Sequence, residues 1–421
     1  MARLKEYNGH YCESEYEYAF IGFLEAEGWK YSSGNNISRV TKRDVLIADD
    51  FKKFIADTNP DLTEDEVTKI YDNVRLVGAE SDFATLHKVY GWMVNGVQFT
   101  PQDELPRMIP LIDFDNWNKN IFRVVNQFTV EYTNNGQKEN RRPDVLLFVN
   151  GIPLCVIELK NPTDANATIY DAWEQINIRY WRDIPHLLHY CPLACISDGV
   201  KTRLGTVRTP YEHFYAWRRV NEGDAVSTLP FAETETMIKG VYSPERFLEI
   251  FRDYIYFQDS IYDSDEQEIV CRYPQFFATR LLKQSIIKSV VEKSGKGGTY
   301  FGATGCGKTY TMAFLARQLA LRCTDIPEIG SPTIILIVDR DELQKQGSKL
   351  FTKSKEFLNL GEVSVVKNRA QLRQELGARQ SGGFYICTIQ KFCDREDDKI
   401  GLINDRQNII CFSDEAHRTQ L

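Results

Sequence analysis

One octapeptide, residues 302–309, constrains this chain more than any other feature of its sequence. It reads Gly-Ala-Thr-Gly-Cys-Gly-Lys-Thr and has the spacing of a phosphate-binding loop. An apolar stretch that can form a strand, 298–301, precedes it, and a segment with helical spacing, 310–315, follows it. A Gly-rich turn before an ordinary helix is the alternative, which the spacing and both flanks disfavour. We predict a strand–loop–helix unit that binds a nucleoside triphosphate.

The residues of this loop have distinct predicted roles. Small residues let backbone N–H groups close around the β-phosphate, at a helix start whose dipole favours anions. Lys308 would reach the β- and γ-phosphates, and Thr309 would bind Mg²⁺. The loop residues predicted to bind nucleotide are Gly302, Thr304, Gly305, Gly307, Lys308 and Thr309.

From about residue 269 onward, apolar runs alternate with helical segments. The predicted strands are 299–301, 333–338, 384–388 and 409–413. Such runs imply a parallel sheet that is covered on both faces. The last run ends in two acids: Asp414 would lie near Mg²⁺, and Glu415 would orient or deprotonate the attacking water. A solvated strand end is the alternative for an isolated Asp-Glu pair, and the phosphate loop upstream favours the catalytic interpretation.

A second candidate site lies in the first half of the chain. Two apolar runs flank an Asn-Gly pair at 150–151, which predicts a β-hairpin. Asp144 precedes the first run, while Glu158 and Lys160 end the second and share one face of its strand. Two carboxylates on one face could hold Mg²⁺ against a scissile phosphate, and Lys160 could stabilise the developing charge or position the water. A salt bridge between Glu158 and Lys160 at the sheet edge is the alternative.

The hairpin loop decides whether Asp144 and Glu158 share a face. A two-residue loop at 150–151 would place the two carboxylates on opposite faces. A three-residue loop, 149–151, or an equivalent bulge at Pro153 would bring them to the same face. We therefore predict that loop or that bulge.

The Asp-Glu-Ala-His sequence at 414–417 resembles the DEAD/DEAH-box superfamily of nucleic-acid helicases and translocases. Segments 272–275, 338–343 and 388–392 resemble further motifs of that superfamily, in the same order. The resemblance implies that Gln275 reads adenine, so that the nucleotide is ATP, and that 338–343 contacts the nucleic-acid backbone. Each of these segments alone is also compatible with ordinary surface polar residues.

Residues 142–160 resemble the PD-(D/E)xK nuclease superfamily, and a nuclease followed by a DEAH-type motor is the layout of the R subunit of type I restriction enzymes. The resemblance implies an α/β fold with a PD-(D/E)xK nuclease-like domain at 1–231, a bridging segment at 232–268 and an incomplete RecA-like parallel-sheet lobe at 269–421. It implies ATP and Mg²⁺ as cofactors, and ATP-driven DNA translocation with double-strand cleavage away from the recognition site. The implied partners are double-stranded DNA and the modification (methyltransferase) and specificity subunits, without a membrane.

Three more residues are candidates for support of the nuclease site. Glu17 matches the acid of the family's opening helix, although it could merely complement the helix N-terminus. Related nucleases carry a Gln four residues before a Tyr; here Tyr180 fits, but that position is Ile176 and the nearest glutamine is Gln175. Residues 196–199 also resemble a family signature, and a polar turn closing a strand is the favoured interpretation of them.

Composition and charge limit the class of DNA-binding protein, the cellular location and the role of the cysteines that we expect. The 421 residues carry a formal net charge of −8, which argues against a generally basic DNA-coating protein but allows a local basic groove. No apolar run approaches the ~20 residues of a membrane span, and the N-terminus lacks the apolar core of a signal peptide, so we expect a cytoplasmic location. The 10 cysteines lack metal-site spacing, and we expect them to be reduced and structural.

The chain ends shortly after His417, before the remainder of the motor that the resemblance implies. We therefore expect an N-terminal portion of a longer polypeptide, which would not translocate DNA by itself. One alternative is another nuclease–helicase fusion, in repair or defence, that separates strands without a methyltransferase partner. A second is a non-catalytic remnant that binds DNA or partners and would show a broken site. The key residues are nevertheless intact: Asp144, Glu158, Lys160, Lys308 and Glu415.

Overall fold

The chain forms two compact units. The computed structural model describes residues 13–78, 80–161, 168–226, 232–258, 266–303, 305–338, 350–351, 355–358, 361, 363–392 and 401–414. The first unit extends to Ile255 and includes Glu268–Arg272, and the second contains 256–267 and the chain from Tyr273 onward. Among the described residues, no helix is both long enough and apolar enough to cross a membrane.

A six-stranded mixed sheet forms the centre of the first unit. In spatial order its strands are Lys30–Ser33, Phe122–Asn126, Val145–Val149, Ile152–Leu159, Leu193–Ser197 and Thr202–Thr206. The first two strands pair in parallel, as do Ile152–Leu159 and Leu193–Ser197, and the other neighbours are antiparallel. Every residue of Ile152–Leu159 is buried, as expected for a central strand that is covered on both faces.

Helices and short hairpins surround this sheet. Helix Glu13–Ala26 packs against Ile152–Leu159, and Ile169–Glu174 packs against Ile152–Leu159 and Leu193–Ser197. The other α-helices of the unit are Ala48–Thr58, Glu64–Arg75, Asp82–Asn95, Trp181–Asp183, Pro185–Leu188, Ala232–Met237 and Pro244–Asp253. The π-helices are Gln175–Tyr180 and Ile238–Tyr242, and the 3₁₀-helices are Gly34–Asn36, Trp117–Lys119 and Tyr211–His213. Two peripheral hairpins pair Val97–Phe99 with Arg107–Ile109 and Val130–Asn134 with Gln137–Arg141.

The central hairpin turns on two residues, so the predicted three-residue loop is wrong. Asn150 and Gly151 have φ values of 51° and 75°, and Val149 pairs with Ile152 across them. Asn-Gly favours this tight turn because both positions tolerate a left-handed backbone. The alternative prediction, an irregularity at Pro153, is confirmed: the register shifts between Leu147, which pairs with Cys155, and Phe148, which pairs with Pro153.

The bulge has a local cause and a consequence for the two carboxylates. Pro153 lacks the N–H that a continuous ladder requires, which favours an irregularity there. Leu154 becomes the extra residue, and beyond it Val145 pairs with Ile157. The same register, continued by one residue, places Asp144 opposite Glu158. Residues directly opposite in an antiparallel pair point to the same face of the sheet.

The segment expected to bridge the two domains, 232–268, contributes Ala232–Ile255 to the first unit. Tyr242 and Phe247 are fully buried there, the Trp29 Nε1–H donates to the Tyr242 carbonyl over 2.6 Å, and the Trp29 ring contacts Phe247 edge-on. These aromatic side chains belong to the core of the first unit, and an exposed connection would leave them in water. Strands Ile255–Gln258 and Gln267–Val270 follow.

A four-stranded parallel sheet forms the centre of the second unit. Its spatial order is Val363–Val365, Phe384–Thr388, Thr333–Val338 and Ile409–Ser413, so three of the four predicted strands are confirmed. Its helices are Tyr273–Val291, Lys308–Leu321, Lys355–Leu358 and Arg369–Gly377, with a 3₁₀ turn at Ile389–Lys391. Alternate residues of the central strand enter different cores: Ile334 packs with Leu319, and Ile335 packs with Leu372.

The fourth predicted strand, 299–301, is not a strand in this structure. Residues 298–301 have no regular secondary structure, and Phe301 is 94% exposed. Gly297 and Gly298, which precede the segment, have low strand propensity. The prediction of this strand relied on the apolar side chains of Tyr300 and Phe301, and it is wrong.

Candidate active site and nucleotide-binding loop

Glu158 is an ionisable residue near the end of the buried strand Ile152–Leu159. Its side chain is 0% exposed, and its Oε1 accepts hydrogen bonds from the Tyr180 hydroxyl at 2.6 Å and the Asp144 backbone N–H at 3.4 Å. Its Oε2 is buried without a hydrogen-bond partner. Burial, and then the neighbouring Asp144, raise the pKa of Glu158 well above its usual range. An unpaired buried carboxylate is costly, so this position requires a function or a missing partner.

Asp144 shares the same buried region. Its Oδ2 accepts the Leu159 backbone N–H over 2.8 Å, which fixes the carboxylate at the end of the neighbouring strand. Burial raises the pKa of Asp144, and the Leu159 hydrogen bond opposes that rise only in part. Two acids with raised pKa values at one place are the arrangement that a bound cation would stabilise.

The donor set fits a hard divalent cation. Mg²⁺ prefers oxygen ligands and is usually held by one or two carboxylates with several waters. The Asp144 and Glu158 side chains lie within hydrogen-bonding reach of each other, and with the Glu158 Oε2 that no N–H or hydroxyl donor satisfies they provide such a pair. No group of three or more His, Cys, Asp or Glu residues that could hold a metal ion occurs in the part of the chain that the structure describes.

Lys160 follows the strand that carries Glu158. Its backbone N–H donates to the Ser197 carbonyl over 2.8 Å, and its Nζ donates to Gln175 Oε1 over 2.9 Å. The salt bridge between Glu158 and Lys160, which was the alternative to a nuclease site, is not the arrangement found, because Gln175 accepts the lysine proton. Lys160 is half-buried, so its charge stays close to solvent and to the two acids.

The sequence left open whether Gln175 supports the site. In the structure Gln175 contacts both Lys160 and Tyr180. Residues Gln175–Tyr180 form a π-helix, in which residues five apart lie on the same side. The Gln175 Nε2–H donates to the Tyr180 hydroxyl over 2.8 Å. The structure thus brings Asp144, Glu158, Lys160, Gln175 and Tyr180 together.

Glu17 is buried on the first helix and lies one strand away from Asp144. Its carboxylate accepts the Asn126 side-chain amide at 2.6 Å and the Gln127 amide at 3.3 Å. Asn126 pairs with Val145, the residue after Asp144. A role of Glu17 in metal binding stays a prediction, and the contact that is observed holds the Asn126–Gln127 corner in place.

A buried cluster of hydroxyls next to the site was missed by the sequence reasoning. Ser197 Oγ lies 2.7 Å from the Tyr16 hydroxyl and 2.6 Å from Thr202 Oγ1, and Thr234 Oγ1 lies 2.7 Å from Thr202 Oγ1. The cluster fixes the end of the strand whose Ser197 carbonyl holds the Lys160 backbone. Its members are far apart in sequence, and no local signal could have grouped them. The turn predicted at 196–199 is confirmed, since the strand ends at Ser197.

The phosphate-binding loop precedes a helix, as predicted. Helix Lys308–Leu321 begins at the loop lysine, with Thr309 as its second residue, and Gly305 and Gly307 have φ values of 78° and 82°. The Lys308 Nζ donates to the Gly302 carbonyl over 3.1 Å. Thr304 lies outside the described residues.

Gln275 contacts this loop directly. It is 3% exposed, and its Nε2–H donates to the Gly307 carbonyl over 3.0 Å. A Cβ added to Gly307 would lie 2.4 Å from Gln275 Nε2, the end of a flexible side chain that can move away, so the left-handed backbone with φ of 82° is what favours glycine there.

Asp414 lies at the end of the last strand of the second sheet. Its backbone N–H donates to the Ile337 carbonyl over 2.9 Å, which places it at the carboxyl end of the central strand. Glu415 and the segment 339–343 lie outside the described residues. Lys391, in the segment 388–392, donates its Nζ to the Val366 carbonyl over 2.6 Å.

Comparison with known proteins agrees with this arrangement. Residues 11–213 match the family described as type I restriction enzyme R protein N terminus (HSDR_N), and residues 274–421 match the SWI2/SNF2 ATPase family. The chain is 31% identical to the type I restriction enzyme HindI endonuclease subunit of Haemophilus influenzae, over 97% of this chain and 39% of that protein. It is 31% identical to the MjaIXP endonuclease subunit of Methanocaldococcus jannaschii, over 96% of this chain and 39% of that protein.

A more distant relative gives the same result. The type I restriction enzyme SauCOLORF180P endonuclease subunit of Staphylococcus aureus is 26% identical over 76% of this chain and 31% of its own length. This chain spans about two fifths of the length of the first two relatives. With an R protein N-terminal domain followed by a SWI2/SNF2 ATPase domain, the chain belongs to the family of type I restriction enzyme endonuclease subunits.

Proposed function

We propose that this chain provides the DNA-cleaving site and the first ATP-binding lobe of a type I restriction enzyme. In the whole enzyme, ATP hydrolysis would move duplex DNA, and Mg²⁺-dependent double-strand cleavage would follow away from the recognition site. One observation carries the nuclease assignment: Glu158 Oε2 is buried without a partner beside Asp144, where a metal ion would compensate both acids.

The nuclease chemistry follows from the donors at this site. Asp144 and Glu158 would hold Mg²⁺, which when bound polarises a phosphate oxygen and lowers the pKa of bound water. Lys160 is positioned by Gln175 and carries a positive charge at the half-exposed margin of the site. Its ammonium group would stabilise the negative charge that develops on the scissile phosphate. We propose a PD-(D/E)xK-type fold for this unit.

The second unit would bind ATP with Mg²⁺ in a RecA-like manner. Lys308 now donates to a neutral carbonyl, and a β- or γ-phosphate would be a stronger, charged acceptor for the same group. Thr309 and Asp414 would bind the nucleotide's Mg²⁺, and Glu415 would orient the attacking water. Gln275 touches the loop from the preceding helix, as a residue that reads adenine would require.

The proposed partners are those that the family implies, and the proposed location is the one expected from the sequence. We propose that it works on double-stranded DNA in the cytoplasm, together with modification and specificity subunits. We propose a nuclease domain over 1–231 and an ATPase lobe over 269–421, while Ala232–Ile255 of the segment between them belongs to the first unit. The recognition sequence would be set by the specificity subunit.

The test uses the full-length subunit assembled with its partner subunits on a plasmid that carries a recognition site. Asp144→Asn and Lys160→Ala should each lower cleavage by about 100-fold or more, because the first removes the charge of a Mg²⁺ ligand and the second removes the positive charge beside the reacting phosphate. Glu139→Gln is the matched control, since Glu139 belongs to the peripheral hairpin and bonds Tyr132 and Asn134. Unchanged cleavage by Asp144→Asn would refute the nuclease assignment.

A further inference from the structure

The helix that supports the active site contains an extra residue. Gln175–Tyr180 is a π-helix between the α-helical segments Ile169–Glu174 and Trp181–Asp183. A π-turn inside an α-helix corresponds to the insertion of one residue, and such turns are frequent at functional sites. Ile178 is 48% exposed, whereas Ile176 and Tyr180 are buried. Arg179 is exposed as well, so the extra residue is accommodated on the solvent side, at positions 178–179.

The wide turn is what allows Gln175 to reach Tyr180. In a regular α-helix, five residues advance the direction of a side chain by roughly 500°, which leaves about 140° between the two side chains. The observed contact, Gln175 Nε2 to Tyr180 hydroxyl at 2.8 Å, requires them on one side. The π-turn therefore compensates for the spacing of this chain, which is one residue longer than a single α-helical turn permits.

The hydrogen bonds through Gln175 have a fixed direction. The Lys160 ammonium can only donate, so Gln175 Oε1 must accept. Gln175 Nε2 must then donate to the Tyr180 oxygen, and the Tyr180 proton is left to donate to Glu158 Oε1. Since Oε1 is committed as an acceptor, Oε2 is the oxygen of Glu158 that stays open for a cation.

We propose that the π-turn is a positioning device: it delivers Gln175 to a relay that fixes Lys160 at one end and the coordinating oxygen of Glu158 at the other. Gln175 is then a positioning residue that touches neither DNA nor metal. This inference rests on the proposed nuclease function and deepens it, since it identifies Oε2 as the oxygen that binds Mg²⁺.

The first test changes the length of the turn in the full-length subunit, assembled with its partners. Deletion of Ile178 should restore a regular α-helix: Gln175, Ile176 and Asn177 stay in phase with the preceding helix, and Tyr180 stays in phase with the following one. Gln175 and Tyr180 become four residues apart and still meet. We expect plasmid cleavage within about threefold of wild type. Insertion of one alanine after Ile178 is the matched control and should lower cleavage at least about 10-fold.

The second test removes the relay without changing its length. Gln175→Glu keeps an acceptor for Lys160 but has no proton to donate to Tyr180, and it competes with Glu158 for the Tyr180 proton. We expect Mg²⁺ binding at the nuclease site to weaken at least about 10-fold. Calorimetric titration with Mg²⁺, without nucleotide or DNA, measures this binding. The binding heat that wild type gives and Glu158→Ala lacks is the heat of this site. The deletion of Ile178 combined with Gln175→Glu should bind Mg²⁺ as weakly as Gln175→Glu alone.

The outcomes separate this inference from the function it rests on. Wild-type Mg²⁺ binding and cleavage by Gln175→Glu, with no cleavage by Glu158→Ala, would overturn the relay and leave the nuclease in place. A folded deletion variant that hydrolyses ATP normally but does not cleave would overturn the role of the π-turn. Wild-type cleavage by Glu158→Ala would instead remove the proposed function itself.

Discussion

Tyr180 donates its hydroxyl proton to Oε1 of Glu158 over 2.6 Å, and both side chains are almost completely buried. Burial, followed by the Glu158 charge, raises the pKa of Tyr180 well above its usual range, so the phenol remains protonated and remains a donor. The same carboxylate leaves Oε2 without a partner. Tyr180 therefore stabilises the ionised glutamate while it determines which oxygen can coordinate.

Tyr180→Phe keeps the ring and removes this donor. A buried carboxylate oxygen without its partner costs about 1–3 kcal/mol, so Glu158 should be harder to ionise and Mg²⁺ should bind about 10-fold more weakly. Plasmid cleavage measured across a range of Mg²⁺ concentrations would show the shift. Tyr190→Phe is the control, because the Tyr190 hydroxyl donates to the Val74 carbonyl over 2.7 Å elsewhere in the unit. Equal Mg²⁺ requirements for both variants would contradict the prediction.

The pH dependence follows from the raised pKa values of Asp144 and Glu158. Above the ordinary carboxyl pKa of about 4, the unfolded chain releases protons that the folded, metal-free site retains, so these groups lower stability as the pH rises. Mg²⁺ binds the ionised acids, so its stabilising effect should grow as the pH rises above about 4 and through the raised pKa values of the two acids. Melting temperatures with and without Mg²⁺ measure that growth.

The difference between the two melting curves isolates this site. Subtraction cancels the contributions of groups that titrate both with and without Mg²⁺. One such group is His186, whose burial lowers its pKa to about 4. Glu158→Gln should abolish the growth of the Mg²⁺ effect with pH. A Mg²⁺ effect of the same size at every pH in wild type would mean that the two acids do not bind the ion.

The two Asn-Gly turns provide a stability test of the central hairpin. Gly151 and Gly136 have φ values of 75° and 79°, but a Cβ on Gly151 would lie 2.2 Å from the Ile47 carbonyl oxygen, while one on Gly136 meets nothing within 4 Å. Gly136→Ala should cost about 1 kcal/mol from the left-handed backbone alone. Gly151→Ala should cost about 3 kcal/mol or more, since the clash is added.

Calorimetric unfolding of the two variants would measure this difference through the transition of the first unit. A 1 kcal/mol change shifts the melting temperature of a unit of this size by about 2–4 °C. Equal shifts for the two variants would show that the loop at Gly151 is not packed against Ile47 as described.

Gln275 offers a test of the nucleotide-binding loop. Its hydrogen bond to the Gly307 carbonyl is worth about 1 kcal/mol, so Gln275→Ala should weaken ATP binding about fivefold. Gln284→Ala, at an exposed position of the same helix, is the matched control. Titration with a fluorescent ATP analogue measures both. The same affinity in Gln275→Ala and wild type would remove Gln275 from the site.

The hairpin and the residues of the site could be predicted from local sequence. How those residues come together depends on strand register and helix geometry, which could be predicted only in part. The Asn-Gly turn and Pro153 identified the hairpin and its irregularity, yet the loop length was wrong because the tight turn and the bulge occur together. Gln175 could not be assigned because a π-turn has no sequence signal that distinguishes it from a displaced glutamine.

Aromatic residues showed a further limit of the sequence prediction. The aromatic residues of 232–255 are core, and the apolar residues Tyr300 and Phe301 are not part of a strand. In both cases the burial of a side chain depends on which other segments pack against it. The composition of the segment alone does not show this.

The measurement that tests the central claim most directly follows ATP consumption and plasmid cutting side by side, in the full-length subunit with its modification and specificity partners. Glu158→Ala should keep DNA-dependent ATP hydrolysis and lose cutting, whereas Lys308→Ala should lose both. That result would establish a motor that serves a separate nuclease centred on Glu158. Cutting by Glu158→Ala at the wild-type rate, or loss of its ATP hydrolysis together with cutting, would contradict the account.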